Sequence, residues 1–343
     1  VAACRQHEPA GEFAHIGDDD VVVLMLSSGS TGAPKAAQLT QRGLVRFAAS
    51  TRRILDVRPG DVSLNWLPLD HSGAFLLYHL LAVFAGCTNV HAPTPFVLAE
   101  PTRWLSLMAE HRANHSWAPT FAYQLVVDAV SGQNWDLSCV RTLLCGGEQV
   151  VLPVLNRFVD AVGIQPSCLV PAWGMTETTT AITFGRLTEP GTVHRVLRSS
   201  LGGTLVPASE STPEHEVTTF VAVGPPAHET RLRIVDDRGD VLPENHIGRL
   251  HVSSPRVTPG YLNDPVATAA AFQEPDWLDS GDLAFLAGGQ LVITGRHKDV
   301  IILNGTNHFA HEIEEVAATA PGVRIGDVAA CGVPDERTGS ERL

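Results

Sequence analysis

Basic charge is in short supply in this 343-residue chain: 24 Lys and Arg against 37 Asp and Glu leave a formal net charge of −13. A general nucleic-acid binder needs a basic face, so that class is excluded. A site for a small anionic substrate is not, because it needs only a few local donors. Paired cysteines are lacking too. The six, Cys4, Cys87, Cys139, Cys145, Cys168 and Cys331, include no CxxC, and a chain of this length does not depend on disulfide staples. They read as reduced, mostly buried thiols of a cytoplasmic protein. No apolar run is long enough to cross a bilayer: the longest, Ala74–Cys87, is too short and contains His79. The first residues do not read as a secretory signal. What is present is enough apolar material, 44% of residues, for a sizeable core in one large or two modest domains.

The pattern along the chain alternates between strand and helix. Val21–Leu26 is an apolar strand, followed by a loop of small residues and a helical stretch, Gln41–Leu55. Further strand candidates are Val62–Leu67, Thr88–Val90 and Arg141–Cys145. Helical patterns cover Phe75–Phe84, Trp104–His111, Phe121–Val130 and Val150–Val162. This rhythm predicts an α/β unit over residues 1–180 with a largely parallel sheet. After about Ala181 the pieces turn β-like: Phe220–Val223, Arg231–Val235, Gly248–Val252 and Gln290–Thr294, separated by turn signals at Asp237–Gly239 and Pro259-Gly260. Residues 181–295 are therefore expected to form a β-rich subdomain. Within it, 186–223 reads as an insertion whose Gly-, Pro-, Ser- and Glu-rich part, Thr188–Glu216, is expected to be mobile. A third unit, 296–343, opens at Arg296 with a strand Val300–Leu303, a turn at Asn304-Gly305 and a helix His311–Thr319.

The loop "SSGSTGAPKAAQ" (Ser27–Gln38) poses the functional question. A Gly-rich loop after a strand can aim backbone N–H groups at phosphate oxygens. It can equally be an ordinary turn with a surface lysine. The P-loop pattern GxxxxGK[ST] fails, because the order is Gly32-Ala33-Pro34-Lys35, and GxGxxG fails as well. Other segments decide the matter. "LPLDHSGAF" (Leu67–Phe75), "CGGEQV" (Cys145–Val150), "PAWGMTETT" (Pro171–Thr179), "WLDSGDLAF" (Trp277–Phe285) and "GRHKDVIILNGTNHFAHEIE" (Gly295–Glu314) follow the loop in order. Together these six stretches, spread over about 290 residues, resemble the motifs of the adenylate-forming superfamily. That superfamily comprises acyl-CoA synthetases, peptide-synthetase adenylation domains, fatty-acyl-AMP ligases and luciferases. One departure is Ala36, where the family's loop usually has Gly.

The resemblance implies a large adenylation domain of α/β type with a β-rich subdomain, followed by the start of a small C-terminal α+β domain. It implies the reaction of a carboxylate with ATP to give acyl-AMP and pyrophosphate, with Mg²⁺. It assigns Ser28, Gly29, Ser30, Thr31 and Gly32 to the β- and γ-phosphates, with Lys35 adding charge. Thr176 corresponds to an α-phosphate hydroxyl and Glu177 to the magnesium carboxylate. Trp173 stands where an aromatic residue stacks on adenine, beside Gly146, Gly147 and Glu148. Asp282 corresponds to the ribose carboxylate and Arg296 to its partner; their spacing fits no local salt-bridge pattern. Lys298 takes the hinge position. His71, Ser72 and Phe121 fall in the acyl pocket. His111 and His115, spaced i, i+4, have no third ligand or HExxH pattern and read as packing or surface histidines, as do His308 and His311.

Peptide-synthetase domains that select amino acids place an Asp near this gate for the α-ammonium. Ser72 stands there instead and cannot replace that charge. The resemblance therefore points to an acid without the amine: fatty, aryl, hydroxy or keto. "SWAPTFAYQLVV" (Ser116–Val127) is similar to the GGPNFAY segment of fatty-acyl-AMP ligases, and residues 186–223 lie where those ligases carry an insertion. Both favour delivery of the acyl group to phosphopantetheine on an acyl carrier protein, as in a polyketide or peptide assembly line, over delivery to coenzyme A. A non-catalytic nucleotide- or carrier-binding module is the reading of a different class. Only 26 residues precede Ser27, and the chain ends at Leu343 before the family's C-terminal lysine segment. The chain is thus expected to be part of a longer protein and to adenylate poorly alone. Normal acyl-AMP formation by these residues alone would contradict that expectation.

Overall fold

The computed structural model describes residues 15–27, 34–303, 306–318, 320–323, 328–335 and 340–343. The apolar run forms β1 (Val21–Ser27), and the segment beyond the small-residue loop forms β2 (Lys35–Thr40). The two are antiparallel, with Ser27 opposite Lys35. The loop therefore joins two strands of a hairpin and does not run straight into a helix, as the pattern suggested. Alternation in β2 is carried by Ala37 and Leu39, both buried, a signal too weak to stand out in "KAAQLT". Helix α1 (Gln41–Ile54) follows at once. The Oγ1 of Thr40 caps it by accepting from the Gly43 N–H at 3.1 Å, and Arg52 and Arg53 sit in its last turn.

The first large sheet contains β3 (Val62–Asn65), β4 (Thr88–His91), β5 (His115–Ala118), β6 (Thr142–Cys145), β7 (Leu169–Met175) and β8 (Thr180–Phe184). Its order is β4-β3-β5-β6-β7-β8, parallel except for β8 at the edge. Every residue of β5 and β6 is buried, as expected of strands covered on both faces. The covering helices are α2 (Leu81–Ala85), α3 (Thr94–Leu98), α4 (Arg103–Glu110), α5 (Thr120–Ala129) and α6 (Leu152–Val162). Just before α2, the helical pattern at Phe75–Phe84 begins as a π-helix, Gly73–Leu80. Such widened turns are rare and often sit at functional sites.

The second large sheet is antiparallel. It runs β11-β12-β13-β14-β10-β9 and uses β9 (Val193–Leu197), β10 (Val217–Gly224), β11 (Arg231–Val235), β12 (Gly248–Ser253), β13 (Leu278–Ala287) and β14 (Gln290–Arg296). Strand β9 lies inside the segment read as an insertion, and it pairs with β10 from Val193↔Val221 to Leu197↔Val217. Between β12 and β13, Asp264 caps α7 (Pro265–Ala271) by accepting from the Ala267 N–H at 2.8 Å. Beyond β14 come β15 (Val300–Leu303), β16 (Thr306–Phe309) and α8 (Ala310–Ala317); the Asn304-Gly305 turn lies outside the described residues. Phe309 anchors this last unit, buried with its ring edge-on to Phe220 at 6.3 Å.

One apolar cluster joins the two large sheets: Trp66, Trp104 and Leu143 belong to the same buried group as Val221, Leu250 and Leu291. At its centre the Trp104 ring lies 5.3 Å from Tyr123 and 6.2 Å from Phe158. Its indole N–H donates to Ser116 Oγ at 2.9 Å, which in turn donates to the Leu64 carbonyl at 2.9 Å. Trp104→Ala should lower stability by about 3–5 kcal/mol, read from the urea midpoint, because it opens a cavity and frees a buried hydroxyl acceptor.

Candidate active site

Parallel strands β5, β6 and β7 end at one rim, and the residues that follow or close them border a cleft of about 840 Å³. Clefts outside the carboxyl ends of such strands are the usual ligand sites of open α/β sheets. The cleft brings together Lys35, His71, Ser72, Thr176 and Glu177 with Arg296 at the end of β14 and Lys298 in the turn that follows. The chain contains two lysines, Lys35 and Lys298, and both line this cleft. Ser28, Gly29, Ser30, Thr31 and Gly32 lie outside the described residues; their flanks, Ser27 and Lys35, border the cleft.

Glu177 and Thr176 sit in the tight turn between β7 and β8. Glu177 is 4% exposed, and one carboxylate oxygen accepts from the Tyr261 hydroxyl at 2.8 Å. Among the described residues no lysine or arginine forms an ion pair with it. The Thr176 hydroxyl donates to Ser72 Oγ at 3.3 Å, so these two residues lie side by side. Thr179 and Thr180 then hold φ values of 52° and 66°, a costly conformation for β-branched residues. Arg256 secures the turn from beneath. It is 1% exposed, donates to the carbonyls of Thr179 and Ala181, and lies over the Phe47 ring at 5.3 Å. Burial pulls its pKa down to about 9, and among the described residues no carboxylate pairs with it. Neither Arg256 nor Tyr261 is picked out by a motif. Their contacts are made across 77 and 84 residues, and the one local signal is the Pro259-Gly260 turn beside Tyr261.

Asp282 and Arg296 are an ion pair, contrary to the expectation from their spacing. The β13–β14 hairpin sets them opposite each other, and Arg296 Nε donates to Asp282 Oδ1 at 2.8 Å. The Trp173 indole N–H donates to the other oxygen, Oδ2, at 2.8 Å. Burial pushes the Asp282 carboxyl above its usual range, against the pull of Arg296 and Trp173. Trp173 and Asp282 border a second cavity of about 250 Å³ and not the cleft itself; Arg296 borders both, and the two spaces adjoin at Gly147 and Gly174.

Three expected residues have structural work of their own, although Glu148 also borders the second cavity. Glu148 Oε1 accepts from the Phe121 N–H at 2.6 Å and so caps α5, whose own N-cap residue, Pro119, makes no side-chain hydrogen bond. Phe121 itself packs half-buried on the core and does not line the cleft. A Cβ on Gly146 would lie 2.6 Å from the Ala172 carbonyl, so strand packing alone demands glycine there; Gly147, with φ of 89°, borders both cavities. Lys298 lies in the turn His297–Asp299 between β14 and β15. His115 is tied to Asp61 at 3.0 Å and to Thr142 at 2.7 Å at the opposite end of the sheet, and His111 ends α4.

On the acyl side, His71 Nδ1 accepts from the Gly73 N–H at 3.1 Å, and its ring lies 5.4 Å from that of Trp117. The cleft floor here is apolar, built from Leu77, Trp117, Leu144 and Ala172. Trp117 is stacked on Tyr78 at 5.8 Å and held by the Asn65 side chain at 3.0 Å. A Cβ on Gly73 would lie 2.7 Å from the Trp117 ring, so helix and floor touch directly.

Known proteins share this sequence pattern and fold. Residues 3–262 match the family described as AMP-binding enzyme. A putative acyl-CoA synthetase of Caulobacter vibrioides is 34% identical over 98% of this chain, which covers 60% of that protein. A solved adenylation, ketoreductase and pseudo-Asub multidomain structure of a keto acid-selecting NRPS module has a TM-score of 0.90 and 35% identity, over 98% of this chain and 28% of that one. A structure from studies of fatty acyl-adenylate ligases of E. coli and L. pneumophila reaches a TM-score of 0.87 at 27% identity, over 98% of this chain and 64% of that one. The chain spans between 34% and 60% of the length of the curated relatives it matches first.

His71 keeps an exposed edge, yet the cleft wall desolvates the ring enough to lower its pKa below 6.5, with Asp70 opposing the shift. Its ring resonances should therefore titrate below that of a free histidine, about 6.5. Because the unfolded chain takes the proton first, His71 should also subtract stability as pH falls below that value. An NMR titration midpoint above it would contradict the assignment of a neutral acceptor.

Proposed function

The chain belongs to the AMP-binding enzyme family, and from that premise we propose that it serves the ATP-dependent activation of a carboxylic acid lacking an α-amine. Pyrophosphate is released, and the acyl-AMP passes its acyl group to the phosphopantetheine thiol of an acyl carrier protein. The observation that carries this reading is Glu177, a buried carboxylate on the cleft wall with a hydroxyl partner and no cationic partner among the described residues. Such a group fits a hard divalent ion, which takes one carboxylate plus phosphate oxygens and water. Bound there, Mg²⁺ supplies charge neutralisation for the triphosphate.

The chain's own residues would do the rest. Lys35 and the donors of Ser28–Gly32 hold the β- and γ-phosphates, and the Thr176 hydroxyl donates to the α-phosphate. Asp282, with Arg296 already beside it, holds the ribose, and Trp173 and Gly147 wall the base. Lys298 lies at the hinge. An oxygen of the acid bonds to the α-phosphorus as the α–β bridging P–O bond breaks and pyrophosphate leaves; holding the reactants in line is most of the catalysis. In the second step the thiol sulfur bonds to the acyl carbon, the bond to AMP breaks, and the thiol proton goes to solvent.

Ser72 and the Trp117 floor favour a compact acid, aryl or α-keto, over a long acyl chain or an α-amino acid. Ser72 offers no charge for an ammonium, and the indole stacked on Tyr78 lines the apolar part of the cleft. The keto acid-selecting NRPS module supports the same choice. The acyl-CoA synthetase relative supports a second acceptor, coenzyme A.

Pyrophosphate exchange by the full-length protein tests the reading. Aryl and α-keto acids should drive exchange at least about tenfold better than their α-amino counterparts, the scale set by an unpaired buried charge. Transfer to carrier protein or coenzyme A then separates the two acceptors. Nucleotide binding without exchange for any acid would instead favour a non-catalytic module. Glu177→Gln should cut metal-dependent exchange by roughly 100-fold or more; retained exchange would remove Glu177 from the site.

A further inference from the structure

Tyr261 touches both charged ends of the phosphate side of the cleft. Its hydroxyl donates to Glu177 Oε1 at 2.8 Å, and the face of its ring carries the Lys35 ammonium at 5.1 Å. Glu177 and Lys35 have opposite charge and line one cleft, yet the ammonium rests on the ring and makes no ion pair with the carboxylate. A cation over an aromatic face is favourable without neutralising a neighbouring anion.

The backbone around Tyr261 is fixed from three sides. Tyr261 bridges to Ala37 of β2, and the Leu262 N–H donates to the Ala36 carbonyl at 2.8 Å. The Tyr261 N–H donates to Thr268 Oγ1 in α7 at 2.9 Å. Three residues earlier, the Thr258 N–H donates to the Glu177 carbonyl at 2.7 Å. Gly260 makes the close approach to α7 possible, since at φ of 148° a Cβ would lie 2.7 Å from Thr268. The backbone that carries the phenol is thus tied to three elements, β2, α7 and the Glu177 turn.

We propose that Tyr261 is a positioning residue that keeps Glu177 ready for a divalent cation. Its hydroxyl occupies one carboxylate oxygen and leaves the other for the ion, and its ring holds Lys35 off the carboxylate until a polyphosphate claims the ammonium. This deepens the adenylating reading and rests on it.

The test uses the full-length protein and two variants. Tyr261→Phe removes the hydroxyl and keeps the ring; Tyr261→Leu removes both. Calorimetry measures binding of a non-hydrolysable ATP analogue with and without Mg²⁺, and exchange assays give the half-saturating Mg²⁺ beside the KM for ATP at saturating metal. In Tyr261→Phe the metal-assisted gain in analogue affinity should fall about tenfold, with metal-free affinity and that KM unchanged. In Tyr261→Leu, where Lys35 can swing onto Glu177, the gain should fall further. A fall of less than roughly threefold in a folded Tyr261→Phe overturns the proposal, and that variant decides alone should Tyr261→Leu not fold. Glu177→Gln in the same calorimetry separates the two levels. If it keeps the metal-assisted gain, the reading of Glu177 fails; if it loses the gain while Tyr261→Phe keeps it, only the role of Tyr261 fails.

Discussion

Parallel pairing obliges neighbouring strands to finish at the same rim, and the rest of this molecule follows from that constraint. Strands β5 and β6 are short and buried and β7 runs parallel beside them, so their carboxyl ends deliver Trp117, Gly146 and the Thr176-Glu177 turn to one place. The antiparallel edge strand β8 can follow β7 only through a sharp reversal. That reversal is the strained Thr179-Thr180 turn, and the Arg256 guanidinium buried beneath it is the structure's answer to the strain. A cationic group without a carboxylate partner is a costly anchor.

The second sheet completes the site through a few polar contacts. Asp282 binds Trp173 of the first sheet with one oxygen and Arg296 of its own sheet with the other. One carboxylate thereby ties the two sheets together in the cavity beside the cleft. The strap from Arg256 to Leu262 is the second tie, since it contacts the Glu177 turn, α7 and β2 within a few residues. The apolar cluster shared by both sheets supplies the bulk of the packing, and these polar ties set the geometry at the edge of the cleft.

The order of the six stretches made the fold legible and picked out several residues that line the cleft, because each stretch is local. Loop, turn and hairpin residues such as Lys35, Glu177 and Asp282 carry their signal within a few neighbours. What stayed hidden depends on distant partners. Strand β2 has too little apolar alternation to show itself apart from β1. The widened helical turn at Gly73 follows no periodicity that a helical pattern can reveal. Glu148 and Phe121 meet across 27 residues in a contact that caps a helix, and of the two only Glu148 borders a cavity. Arg256 and Tyr261 are single residues without a motif, and their worth lies in partners 77 and 84 positions away.

The placing of the two lysines has a practical side. Outside the cleft, all described side-chain cations of the Lys/Arg kind on this chain are guanidinium groups, so primary side-chain amines exist only at the cleft. Reagents that modify, tether or cross-link proteins through lysine would therefore meet no inert sites on these residues. Such a coupling would be a chemical footprint of the cleft itself, and arginine-directed or thiol-directed chemistry at the exposed Cys331 is the way to attach a label elsewhere.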